Sequence, residues 1–314
     1  MILRGKMSVV VFLCRLSARM DGIWPNRKER FLMKKSISET LVLLLKGGGI
    51  GIANIIPGVS GGTIAVVLGI YDRLIEAISK FFERPEKRGE YVLLLFRVFF
   101  GAVVAVGLLA KVMDVLLKEY FHETMFLFMG LILGGIPSVV RSHGDMKIRT
   151  SRILAFIVGM ILVLGISLIG EAKGQGQVMS LSNIEGVGPY LMLLIGGFFA
   201  GGAMIVPGVS GSFILVLLGQ YAVVIAAIKD FALKPIGAVS LGAIAGIIIF
   251  SRIIEFCLER IPSKTYYFIL GLIFASFYKI FPGKPDEAIS IFYCSVVFIG
   301  GTALSYFVSR LNAD

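Results

Sequence analysis

Long apolar runs separated by short basic stretches dominate the chain. Three follow one another at about 91–117, 125–140 and 153–170, and three more at about 237–258, 265–281 and 288–308. Each reads as a membrane-spanning helix. Several fall short of the ~20 residues of an upright span, which requires tilt or buried ends. Ahead of each trio stands an apolar segment interrupted by glycines, at about 41–80 and 190–229. Such a segment crosses once, crosses twice, or enters and returns. Non-helical backbone at membrane depth is tolerated only inside protein or along a watery cavity.

The two trios and their broken segments form an internal repeat. Pro57-Gly58-Val59-Ser60-Gly61 recurs as Pro207-Gly208-Val209-Ser210-Gly211. Gly47, Gly51, Ala53 and Ile55 match Gly197, Gly201, Ala203 and Ile205, and Leu68, Gly69 and Tyr71 match Leu218, Gly219 and Tyr221. After a shorter connection the match resumes, with Gly101-Ala102 on Gly242-Ala243 and Gly130-Leu131-Ile132 on Gly271-Leu272-Ile273. Repeats of this kind are a property of secondary transporters. The predicted fold is an all-α polytopic membrane protein of two inverted repeats, each a re-entrant broken-helix hairpin plus three transmembrane helices. The divisions are a basic cytoplasmic extension at 1–35, a first repeat at 36–170, an external loop at 171–188 and a second repeat at 189–314. Within the extension, Met33-Lys34-Lys35 resembles a start.

Charge orients the repeats. Basic residues precede residue 41, and Lys80, Arg84, Lys87 and Arg88 follow the first broken segment. Both flanks are therefore cytoplasmic by the positive-inside rule. This excludes a single crossing and leaves the hairpin and the double crossing. Arg141, Lys147, Arg149 and Arg152 mark the inside again, whereas 171–188 holds one Lys and two Glu and is external. Three spans is an odd number, so the second half enters from the opposite side. Both termini are expected in the cytoplasm, with the chain crossing its membrane several times.

Composition agrees. The 314 residues are 57% hydrophobic and 16% charged, with 38 glycines. Soluble domains carry about a quarter charged residues. The net charge of +11 belongs to cytoplasmic flanks rather than to a nucleic-acid surface. Cys14, Cys257 and Cys294 are scattered and form neither a disulfide framework nor a metal motif. No cofactor or metal is expected.

The chemistry concentrates at the doubled motif. Pro57 ends a half-helix, Gly58, Gly61 and Gly62 permit a tight turn, and Ser60 or Thr63 is placed to cap the next half-helix. The start of that helix exposes unpaired N–H groups, a ready anion site. Ser210, Gly211 and Ser212 build the same feature from the other side. The bland alternative is a turn that merely packs the halves. Charged residues at depth are functional candidates by default. Lys111 and Arg252 are repeat-related, each with an acid three residues on, Asp114 and Glu255. A local ion pair and a substrate role weigh equally there. Lys46, Asn54 and Arg73 have no polar counterpart in the second half.

At these residues the sequence resembles a bacterial membrane family associated with polyprenyl-phosphate transport, formerly a domain of unknown function. The resemblance rests on Lys46-Gly47, on Pro57 to Thr63 with Gly69-Ile70-Tyr71, on Pro207 to Ser212 and on Phe250-Ser251-Arg252. It implies a flippase that returns undecaprenyl phosphate across the membrane for wall and surface-polymer synthesis. Asn54 departs from the acid the family pattern leads one to expect. Lys46, Asn54, Ser60, Gly61, Gly62, Thr63, Arg73, Lys111, Ser210, Gly211, Ser212 and Arg252 are the substrate-binding candidates, with Arg252 and Lys46 foremost.

Two rival classes stand beside it. A membrane lipid pyrophosphate phosphatase needs a His or carboxylate beside the phosphate, and His122 and His143 both fall in predicted loops. A small-anion or ion-coupled secondary transporter fits the repeat equally well. A coupling proton or sodium ion and a homo-oligomer are compatible with either transporter.

Overall fold

The computed structural model describes residues 27–56, 59–141, 146–173, 186–285 and 288–311. Pro57-Gly58, His143, most of the 171–188 loop and residues 1–26 lie outside them. Among the described residues the chain is helical, without a strand. The first half comprises α1 (Arg27–Ile55), α2 (Gly61–Val67), α3 (Tyr71–Ser79), α4 (Arg88–Glu119), α5 (Phe121–Arg141) and α6 (Thr150–Lys173). The second repeats the order with α7 (Val187–Ile205), α8 (Gly211–Leu217), α9 (Tyr221–Lys229), α10 (Leu233–Arg260), α11 (Pro262–Ile280) and α12 (Ala288–Leu311).

The repeat reaches the backbone angles. Ser60 and Ser210 precede α2 and α8 with φ/ψ of −104/132° and −103/131°. Gly69 and Gly219, at the next turns, take φ of 66° and 69°, a region nearly closed to residues with a Cβ. Past the second of these turns, α9 is bent 113° from α8.

Close helix pairs organise the bundle. A Cβ on Gly47 would lie 2.1 Å from the Val98 carbonyl oxygen, and one on Gly51 2.6 Å from that of Ala102. A four-residue step on α1 thus matches a four-residue step in the same direction on α4, so the two run parallel. Gly242 against Leu194 and Gly246 against Phe198 give the same relation between α7 and α10, and Gly130 against Phe298 and Gly134 against Thr302 between α5 and α12. Within a bilayer, such small-residue seams supply the packing that hydrophobicity cannot.

Among the described residues five helices are long and apolar enough to cross a membrane, α4, α6, α7, α10 and α12, and the bent α8–α9 pair is a broken span or a re-entrant loop. Their outward faces carry exposed Phe96, Phe99, Leu108, Ile161, Ile253, Phe292 and Ile299, as a lipid-facing surface requires. The second span of each trio fails that test. Both α5 and α11 lie inside, with Met125, Ile132, Tyr266, Ile273 and Ser276 buried. A helix shielded by protein tolerates shorter apolar length and more polar atoms. The chain is thus a polytopic helical membrane protein.

Candidate functional site

The two helix breaks adjoin. The Gly61 N–H donates to Asn54 Oδ1 at 3.2 Å, so Asn54 and not Ser60 caps α2. Across the halves, the Gly208 N–H donates to Thr63 Oγ1 at 2.7 Å. A Cβ on Gly62 would sit 3.2 Å from the Met204 carbonyl oxygen and 3.3 Å from that of Ile205. The Tyr71 hydroxyl donates to the same Ile205 carbonyl at 3.1 Å.

Beside this junction lies a cavity of about 580 Å³. Asn54 and Ile55 line it from α1, Phe121 and Met125 from α5, Ser210, Ser212 and Phe213 from the second break, Tyr221 from α9, and Lys279 with Phe281 from the end of α11. Lys279 supplies the only charge among the described lining residues. Its ammonium stands 3.8 Å from the centre of the Phe213 ring, a cation–π contact that fixes it at the wall. The Ser210 and Ser212 hydroxyls lie 2.8 Å apart in one hydrogen bond. The lining therefore offers an ammonium, two hydroxyls and the Asn54 amide, with no carboxylate. That donor set suits a small anion. At seven residues α8 is under two turns, and the full ammonium carries more charge than its helix start.

The other sequence candidates lie elsewhere. Thr63 is buried in the junction, and Ser60 is buried with its hydroxyl lacking a partner among the described residues. Gly61 and Gly211 make room for protein, since a Cβ would meet Asn54 in the first case and the Ala200 carbonyl and Met204 in the second. Lys46 is buried on α1. Arg73 is exposed and pairs with Glu39 at 3.4 Å. Lys111 and Arg252 are exposed on α4 and α10. Neither acid three residues on is spent on them. Asp114 pairs with Lys118 at 2.8 Å, and Glu255 with Lys80 at 2.7 Å. Of the expected residues, Asn54, Ser210 and Ser212 come together at the cavity.

The far end of the bundle is closed by polar contacts. Tyr266 and Lys279 are thirteen positions apart on α11, about 20 Å along the axis. Tyr266 donates to Asp72 at 2.5 Å. Lys80, just past α3, bridges Glu255 and Glu259 of α10. Burial alone would lower the Lys80 pKa, but the hydrogen bonds and charges of the two carboxylates hold it above its ordinary value. A cavity of about 60 Å³ remains here, lined by Val66, Tyr71, Asp72, Val139 and Tyr266.

Lys279 is the residue that sequence reasoning missed. Repeat matching led to Lys111 and Arg252, and the position matching Lys279 is Ser138. The available signal was topological: under the assigned orientation Lys279 ends its span on the external side, where basic residues are disfavoured.

A polytopic helical membrane protein with paired helix breaks around an anion-suited cavity is the class that these features define. Residues 50–292 match the family model described as undecaprenyl phosphate translocase-like, and the chain belongs to that family. It is 35% identical over 279 residues to a Polyprenyl-phosphate transporter of Staphylococcus aureus, covering 86% of this chain and 96% of the relative. A Polyprenyl-phosphate transporter of Vibrio cholerae is 36% identical over 251 residues, 76% of this chain and 77% of the relative. No solved structure matches the chain.

Proposed function

We propose that this protein moves a polyprenyl phosphate, undecaprenyl phosphate foremost, across the bacterial cytoplasmic membrane, returning the carrier lipid for reuse. The observation that carries the reading is the cavity between the two breaks, whose sole charge among the described lining residues is the Lys279 ammonium. A phosphate monoester near neutral pH carries between one and two negative charges. Burying it away from water demands a full cation, and Lys279 is placed to supply one. Ser210, Ser212 and the Asn54 amide then bond the remaining oxygens. Lys46 and Arg252 serve as secondary cations that the headgroup meets along its path, with Lys111 and Arg73 at the approaches.

The halves act as inverted repeats, 36–170 and 189–314. Parallel packing of α1 with α4 and of α7 with α10 supports broken segments that return to their starting side. Both termini are cytoplasmic, the Lys80 end faces the cytoplasm and the Lys279 cavity opens to the outside. The protein works as a transporter rather than as a phosphatase, a reading supported by the names of the two relatives.

Reconstitution tests the function. Labelled undecaprenyl phosphate is placed in one leaflet of vesicles, and its exchange is followed with and without a proton or sodium gradient. Exchange at the rate of empty vesicles under all three conditions, with well-folded protein, refutes the proposal.

A further inference from the structure

The two halves match in sequence but not in state. Val66 and Tyr71 line the small cavity, and their repeat partners Val216 and Tyr221 line the large one. Tyr266 and Val139 likewise correspond to Met125 and Ile280. The same set of positions thus encloses about 60 Å³ at one end and about 580 Å³ at the other. Tyr71 is 5% exposed and bonded to the Ile205 carbonyl, whereas Tyr221 is 43% exposed and shares the open cavity with Ile55, the partner of Ile205. Helix α3 packs against α10, and α9 makes no comparable contact with α4.

Charge follows the same pattern. The repeat sets Lys80 against Asp230, Glu255 against Asp114 and Glu259 against Lys118. At the closed end one ammonium, Lys80, lies between two carboxylates. At the open end Lys118 is bonded to Asp114 alone, and Asp230 is exposed at the end of α9 with no ion pair among the described residues. Bringing α9 onto α4, as α3 lies on α10, places Asp230 beside Lys118. That again makes one ammonium between two carboxylates, with the polarity of the interhelical pair reversed.

We propose that the halves carry matched latches that close in turn, a device that rests on the transporter reading of the cavity. Lys80 with Glu255 and Glu259, and Tyr71 on the Ile205 carbonyl, shut one end here. Asp230 with Lys118, and Tyr221 on the Ile55 carbonyl, shut the other when the first releases. Closure of both at once would trap the headgroup, and release of both would open a leak. Alternation follows from the function.

Cross-linking tests this in full-length protein in vesicles, with the native cysteines replaced by Ser. One variant carries Lys80→Cys and Glu259→Cys, a second Lys118→Cys and Asp230→Cys, and a third all four. A disulfide forms only when the Cα atoms come within about 7 Å. Both pairs are expected to cross-link, the second faster when undecaprenyl phosphate is added, and no molecule of the third variant holds both bonds. A second pair that never cross-links while the first does, or molecules holding both bonds, overturns the proposal. Charge exchange gives an independent reading. Asp230→Lys slows lipid exchange by up to about fivefold, the scale of an exposed ion pair. Adding Lys118→Asp restores it, because Lys at 230 then lies between two acids as Lys80 does. No recovery in the double variant overturns the ionic latch. Alternating cross-links without lipid movement would keep the latches and remove the assigned substrate; lipid movement without the second cross-link would do the reverse.

Discussion

The Gly208 N–H donates to the Thr63 hydroxyl at 2.7 Å, joining the two halves at their helix breaks. Thr63 is 1% exposed, so water cannot replace that bond. Thr63→Val keeps the shape and removes the acceptor, leaving a buried N–H unsatisfied at a cost of about 1–3 kcal/mol. Thr63→Ser keeps the acceptor. Thermal unfolding in detergent is expected to show a clear loss for the Val variant and a small one for Ser. Equal stability of Val and wild type would refute the structural role.

Lys279 separates binding from folding. A hydrogen bond to a charged group is worth about 1.5–3 kcal/mol, so Lys279→Ala is expected to weaken headgroup binding by roughly ten- to hundredfold at unchanged folded yield. Lys279→Arg keeps the charge and the contact with the Phe213 ring, and recovers most of the binding. Titration with a short-chain prenyl phosphate reads both. Normal binding by a well-folded Ala variant removes Lys279 from the site.

How far the sequence leads depends on what fixes each residue. The doubled motif is legible because backbone contact enforces it: Gly47 and Gly197 both lie against a neighbouring carbonyl, where a Cβ would sit 2.1 and 2.2 Å away. Asn54, Ser210 and Ser212 are legible because they belong to the motif or its flank. The Lys80–Glu255 pair joins α3 to α10 through the tertiary fold alone, and nothing local announces it. Reading Glu255 as the partner of Arg252 follows helical spacing, and the fold overrides it. Lys279 escapes because it breaks the repeat, and the repeat directs attention to positions where the halves agree.

Releasing the closed end is expected to open it. Lys80→Met leaves Glu255 half-buried without its ammonium, and a carboxylate so placed seeks water. A cysteine replacing Val66, buried in the wall of the small cavity, should then react faster with a soluble maleimide than it does in the Lys80 background. An unchanged rate would show that the contact does not hold this end shut.

Inversion predicts which end faces which solution. In a cysteine-free background in intact cells, Lys284→Cys, past the Lys279 end of α11, is expected to react with an impermeant reagent. Glu259→Cys, at the Lys80 end, reacts only after permeabilisation. Both residues are exposed, so reactivity reports sidedness rather than burial. Labelling of both from the same side contradicts the assigned topology.

Asn54 carries the sharpest electrostatic consequence. Its Oδ1 accepts the Gly61 N–H while its amide group lines the cavity. Asn54→Asp preserves the acceptor and, when ionised, adds a negative charge to the space proposed for the phosphate. In water a carboxylate titrates near 4, and a neighbouring phosphate pushes that value up, because a like charge disfavours ionisation. The Asp variant is therefore expected to bind the headgroup poorly at neutral pH and to regain binding as pH falls and the carboxyl takes up its proton. Wild type lacks that group and lacks that response; its own pH dependence follows the ionisation of the phosphate. Binding measured from about pH 5 to 8 with a non-titrating phosphate diester analogue isolates the difference. Parallel profiles for Asn54 and the Asp variant would place residue 54 out of reach of the bound anion.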